Sequence, residues 1–234
     1  MRSINYKEAW QGVANCEKCS IRQSVLFAGL TEEDFQRIHK PIDQFHLEAG
    51  EKIYGTGDTA SYMYTIRSGL VKLVHYLPDG TQRIVRLLKT SDVIGLEAVL
   101  DPAYKHDAIT LQRTEICRYP ADAAQEISIS NPKLHHEMMS RWQRALNEAD
   151  SWVIQLSTGT SKQRIARLIL LLAKGDPNSS CTLIGREDMG AMLGITTETA
   201  SRIIASFKRE GLLVKTTATL FRCDTEQLEN ISYG

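Results

Sequence analysis

The chain contains no run of apolar residues long enough to span a bilayer, which excludes a transmembrane helix. Its start, Met1-Arg2-Ser3-Ile4-Asn5-Tyr6-Lys7-Glu8, lacks the apolar core of a signal peptide, so the expected location is the cytoplasm and no membrane partner is expected. Net charge is missing too: 28 Lys and Arg balance 28 Asp and Glu over 234 residues. A nucleic-acid surface would therefore have to be local rather than global. The five cysteines are Cys16, Cys19, Cys117, Cys181 and Cys223, and an odd count in a cytoplasmic chain argues against a disulfide framework. Cys16-Glu17-Lys18-Cys19 is a single C-x-x-C, short of the matched second pair that a zinc site needs. There is no nucleophile elbow, P-loop or H-E-x-x-H, so enzymatic chemistry is not expected.

What the chain does have is concentrated near its C-terminal end. Arg186 to Leu193 reads as a helix with Met189, Met192 and Leu193 on one apolar face. Gly194 follows where a tight turn needs φ > 0. Ile195 is expected to pack inward and Thr196 to cap a second helix. That helix buries Ile203, Ile204 and Phe207 and ends at Gly211. Its outer face carries Glu198, Ser201 and Arg202 at i, i+3 and i+4, which makes them neighbours. A carboxylate accepts from cytosine N4, a guanidinium donates twice to guanine, and a serine hydroxyl serves either role. These residues, with Thr197, Thr199 and Lys208 beside them, are the candidate DNA contacts of a helix-turn-helix. Lys162, Arg164, Arg167 and Arg209 are candidate phosphate contacts. Residues 212–215 and 218–222 read as a hairpin around Thr216-Thr217, the wing of a winged helix.

Upstream, the texture is that of an antiparallel β-roll. Residues 52–54, 63–66, 70–76, 83–88 and 114–119 are short apolar or alternating runs between Gly and Asp turns. Asn131-Pro132 then opens a helix reaching about Leu156. Trp142, Ala149 and Leu156 recur every seven residues, as do Met138, Ala145 and Trp152, with Met139, Leu146 and Val153 alongside. So broad a seam wants a partner helix, and Met138, Trp142, Ala145, Leu146, Ala149, Val153 and Leu156 are the expected homodimer interface. The expected fold is α+β in four parts: a cysteine-containing segment at 1–24, a β-roll at 25–130, a dimerisation helix at 131–157 and a winged helix-turn-helix at 158–234.

This order of parts resembles the Crp/Fnr superfamily of bacterial transcription regulators over nearly the whole chain. The motifs carrying it are Gly50-Glu51-Lys52-Ile53-Tyr54, Gly57-Asp58, Met63 to Gly69, Asp79-Gly80, Arg83, and Arg186 through Gly211. The resemblance implies a cyclic-nucleotide-binding-like roll and a dimer on double-stranded DNA that contacts RNA polymerase. The stretch corresponding to the cyclic-nucleotide site, Gly95 to Ala108, has no phosphate-binding Arg. Lys105 would replace its charge but not its bidentate geometry, so cyclic AMP is not the expected effector.

Glu198, Ser201 and Arg202 match the reading helix of the oxygen-sensing Fnr branch, which implies TTGAT-like half-sites in an inverted repeat. That branch holds an iron–sulfur cluster on four thiolates. Cys16, Cys19 and Cys117 match three of them, but the fourth falls at Val25. The three cysteines thus stay open between a cluster with an unusual fourth ligand, a redox-active thiol set, and remnants. Ala149 stands where the branch has a charged residue that opposes dimerisation, which implies a dimer without any cofactor. The alternative reading is a regulator whose roll binds a small molecule or haem, with His75, His39, His46 and His106 as the nearby histidines.

Overall fold

The computed structural model describes Leu26 and residues 42–233. Eight strands come first: β1 (Asp43–Leu47), β2 (Lys52–Tyr54), β3 (Tyr62–Ser68), β4 (Leu70–Tyr76), β5 (Gln82–Lys89), β6 (Val93–Ile94), β7 (Asp107–Thr110) and β8 (Thr114–Pro120). They form two four-stranded sheets, ordered β1-β8-β3-β6 and β2-β7-β4-β5, joined by antiparallel pairing. The period-two alternation of strands sets the two faces. On β3, Tyr64 and Ile66 join Phe45, Val71, Leu73, Ala108 and Ile116 in a core drawn from both sheets. Met63, the neighbour of Tyr64, enters a second core with Val93 and Tyr119.

Helices cover that second core. α1 (Ala121–Ser130) contributes Ala121, Ala123 and Ala124, and α2 (Pro132–Leu156) contributes Leu134 and Met138. The start of α2 follows the sequence expectation. Asn131 Oδ1 accepts from the amides of Lys133 and Leu134 at 3.0 and 3.1 Å, satisfying donors that the first turn leaves open. Arg141, 6% exposed, fastens α2 by donating to the Ser91 carbonyl at 2.9 Å and to Glu137 at 2.8 Å.

The chain divides into two compact units, and the division along α2 falls at Leu146 and Asn147. The second unit contains α3 (Ser161–Ala173), β9 (Ser180–Thr182), α4 (Arg186–Leu193), α5 (Thr197–Arg209), β10 (Leu213–Lys215), β11 (Leu220–Cys223) and α6 (Thr225–Tyr233). Thr160 and Gln163 cap α3 reciprocally, and Ile165, Ala166, Leu168 and Ile169 are wholly buried. The expected hairpin is present as β10–β11, and β9 adds a third strand in the order β10-β11-β9. The roll and the winged helix-turn-helix of the expected α+β fold are both present. Among the described residues no helix is long and apolar enough to cross a membrane.

Candidate nucleic-acid interface

The turn between α4 and α5 depends on two glycines. Gly194 closes α4 at φ +63°, its amide donating to the Gly190 carbonyl at 2.9 Å. In the sequence Gly190 is only one residue of the first helix, yet it controls the turn. A Cβ built there would lie 2.7 Å from the Ile195 carbonyl oxygen, a backbone atom that cannot swing away. The Ile195 amide also bonds to the Gly190 carbonyl, at 3.3 Å. A side chain at this position would therefore push the start of α5 off α4.

Thr196 caps α5 as expected. Its Oγ1 accepts from the Thr199 amide at 3.1 Å and lies 2.9 Å from Thr199 Oγ1. Ala200, Ile204 and Phe207 are buried, while Ile203 and Ile195 are half-buried. Opposite them Thr197, Glu198, Ser201 and Arg202 are exposed, and Thr199 is half-buried. Glu198 and Arg202 form an ion pair one turn apart, each side chain about three-quarters exposed. An exposed pair of this kind adds little to stability, so its groups are free to exchange partners.

The positive charge is arranged differently from the sequence expectation. Arg164 donates to the Leu193 carbonyl, which fixes the end of α4 rather than reaching outward. Arg167 is committed to three main-chain oxygens, those of Gln155, Thr158 and Ser232 at 2.9, 2.8 and 3.0 Å. Lys162 pairs with Glu210 at 3.4 Å. A guanidinium has five donors, and backbone carbonyls left open at helix ends take them up readily. Lys208 is exposed, with its ammonium over the Phe221 ring at 4.5 Å from the centroid. Partial burial and the nearby charges of Arg186 and Lys215 hold its pKa below the usual lysine value. Arg186, in the sequence only the start of a helix, therefore belongs to this basic cluster.

The fold agrees with the comparisons. Residues 44–131 match the cyclic nucleotide-binding domain family and residues 163–231 match the Crp-like helix-turn-helix domain family. The transcriptional activator protein FnrA of Stutzerimonas stutzeri is 27% identical over 90% of this chain and 89% of its own length. The transcriptional activator protein anr of Pseudomonas aeruginosa is 27% identical over 86% of this chain and 85% of its own. The structure of FixK2 from Bradyrhizobium japonicum shares the fold, with a TM-score of 0.74 and 23% identity over 81% of this chain and 96% of that one. The chain belongs to the Crp/Fnr superfamily. It is a DNA-binding transcription regulator, as its relatives are, and not an enzyme.

Of the expected sensor residues, the structure describes some and not others. Cys16, Cys19 and His39 lie outside the described residues. Cys117 is half-buried on β8, against the helix-covered core. Cys181 and Cys223 lie against each other in the wing sheet, sulfurs 3.3 Å apart. Three thiols are thus left for a four-thiolate cluster, and Val25 supplies none, so the donor set does not fit that group. Among the described residues no group of three or more His, Cys, Asp or Glu is placed to hold a metal ion. His46 pairs with Glu115 at 3.2 Å, and the rings of His75 and His106 meet edge-on at 6.3 Å. Lys105, the one cation in the stretch corresponding to the nucleotide site, pairs with Asp101 at 3.5 Å. The roll core beside it holds Tyr54 stacked on Tyr104 at 3.8 Å.

The seam of α2 separates into two faces. Met138 and Leu156 are 4% and 5% exposed and are covered by this chain itself, and Trp142 packs against the roll's second core. Ala145 and Ala149 are half-buried. Leu146 and Val153 are 56% and 67% exposed, as are Met139 and Ile154 at 42% and 66%. Leu146 lies about 80° of helix rotation from Met138, so one broad stripe in the sequence serves two sides of the helix.

Replacing Gly190 with Ala tests the turn. The variant should lose about 1–3 kcal/mol of stability from overpacking, read by thermal unfolding, and should bind DNA more weakly. The half-buried Ala191→Ser, one residue along, should do neither.

Proposed function

We propose that this Crp/Fnr regulator acts as a homodimer reading an Fnr-type inverted repeat with TTGAT-like half-sites. The observation that carries the reading is the exposed row Glu198, Ser201 and Arg202, which begins in the first turn of a capped helix whose opposite side is buried. Arg202 would donate to a guanine, Glu198 would accept from a cytosine amine, and Ser201 would bridge between them. Thr197 and Thr199 flank the row at the helix start. The crowded cations Lys208, Arg186 and Lys215 favour an anion nearby, because a phosphate would relieve their mutual repulsion. Base contacts then specify, while these cations set affinity and its salt dependence.

The exposed apolar row Met139, Leu146, Val153 and Ile154 supports the dimer. Met139, Leu146 and Val153 recur every seven residues, which suits a parallel pairing with a second copy of α2. Ala145 and Ala149 border this row and leave room for close approach, and no like charge sits at Ala149 to oppose it. Dimerisation on this face needs no cofactor. The four-part division at 1–24, 25–130, 131–157 and 158–234 follows: an N-terminal segment, the roll that receives a signal, the dimer helix and the DNA reader. Contact with RNA polymerase completes the role.

Arg202→Ala should cost about 1–3 kcal/mol on the cognate site and flatten discrimination at one base pair, measured by titrating a panel of duplexes. Equal losses on every duplex would assign Arg202 to phosphate and contradict the reading. Leu146→Asp with Val153→Asp should shift the cofactor-free protein from dimer to monomer in sedimentation at low micromolar concentration. A wild-type protein that sediments as a monomer would overturn the dimer face.

A further inference from the structure

The wing sheet holds a chemical group that DNA reading does not use. Cys181 on β9 and Cys223 on β11 are buried, 2% and 6% exposed. Their sulfurs approach to 3.3 Å although 42 residues separate them in the chain. The register pairs Cys181 with Phe221 and Ser180 with Arg222. Cys223 therefore lies two residues beyond the partner of Cys181, on the same face of the sheet. Such diagonal neighbours are usually too far apart for short side chains to meet. Here β9 is entered through a tight turn at Ser179, φ +51°, whose carbonyl accepts from the Cys223 amide at 2.9 Å. That bond draws the end of β11 toward the turn and the two thiols together.

We propose that Cys181 and Cys223 are a two-electron oxidation site, converted by a hydroperoxide to a disulfide that weakens DNA binding. The effect on DNA rests on the function proposed above; formation of the bond does not.

The two thiols share a hydrogen bond in which either sulfur can donate. The Cys223 S–H also lies 3.7 Å from the Phe221 carbonyl. Whichever of the two sulfurs gives up its proton is the nucleophile. Its thiolate sulfur attacks the terminal oxygen of the hydroperoxide: an S–O bond forms, the O–O bond breaks, and the alkoxide takes a proton and leaves as an alcohol. The other cysteine's sulfur then attacks the resulting sulfenic sulfur. The S–S bond forms, the S–O bond breaks, and hydroxide leaves as water with that second thiol's proton. Two thiols and one hydroperoxide thus give one disulfide, one alcohol and one water. Thiol exchange with a small dithiol restores the pair.

Closing the bond carries a mechanical consequence. An S–S bond is about 2.05 Å long, so the sulfurs must approach by about 1.3 Å more. The strand that moves carries Phe221, on whose ring Lys208 of α5 rests. Oxidation therefore pulls on the wing at its contact with the reading helix.

The test uses the full chain carrying Cys16→Ala, Cys19→Ala and Cys117→Ala, so that the wing pair holds the remaining thiols. Reduced protein is treated with hydrogen peroxide, digested and mapped, while binding to a labelled duplex is followed by anisotropy. The expected result is a linked Cys181–Cys223 peptide and a rise in Kd of about tenfold, within the usual range of coupling between sites, reversed by dithiothreitol. Cys181→Ser and Cys223→Ala, each checked by thermal unfolding, should bind DNA in the reduced state and ignore peroxide. Absence of the linked peptide overturns the site. A linked peptide with unchanged Kd overturns its effect on binding. Reduced protein that binds no duplex instead counts against the proposed DNA reading, and the peptide map still decides the disulfide.

Discussion

The proposed reading surface depends on a missing side chain. At Gly190 the backbone of the following turn occupies the space where a Cβ would stand, 2.7 Å from the Ile195 oxygen. This close approach sets how α5 leaves α4. Thr196 then caps the new helix, and the burial of Ala200, Ile204 and Phe207 fixes its rotation. With that side committed, Glu198, Ser201 and Arg202 face outward. Arg164 reinforces the arrangement by binding the Leu193 carbonyl at the end of α4. A strong donor that looks free in the sequence is spent on holding the scaffold still, which a base-reading helix requires.

α2 is governed by a division between its faces. Leu134, Met138 and Arg141 are taken up by the roll, and Arg141 is hydrogen-bonded as well as buried. Leu146 and Val153 are left uncovered. A helix with one apolar side covered and a second apolar side exposed is suited to joining a core to a partner. The same segment thus serves the fold of one chain and, as proposed, the pairing of two.

Much of this was legible in the sequence because it rests on local chemistry. Gly194, the Thr196 cap, Asn131-Pro132 at the start of α2 and the alternating runs of β3 to β5 each carry their own signal. β1, β7 and β9 are short and held by distant partners, so nothing local announces them. The charge of Arg164 and Arg167 was plain, but whether it faces solvent or a carbonyl is decided by α6 and by the ends of α2 and α4. The heptad rhythm of α2 was visible as one stripe, since spacing alone does not say which apolar residues the same chain will cover. The role of Gly190 follows from the path of a neighbouring backbone. The meeting of Cys181 and Cys223 depends on strand register. Neither quantity is written in the local sequence.

The central claim is that α5 reads a defined sequence as one half of a symmetric pair. Selection of bound duplexes from a random pool by the reduced protein tests it most directly. The account predicts recovery of TTGAT-like half-sites in inverted orientation, centred about one helical turn apart, 10–10.5 base pairs. Recovery of single unpaired sites, or of repeats without the G·C pair that Arg202 and Glu198 are proposed to read, would contradict it.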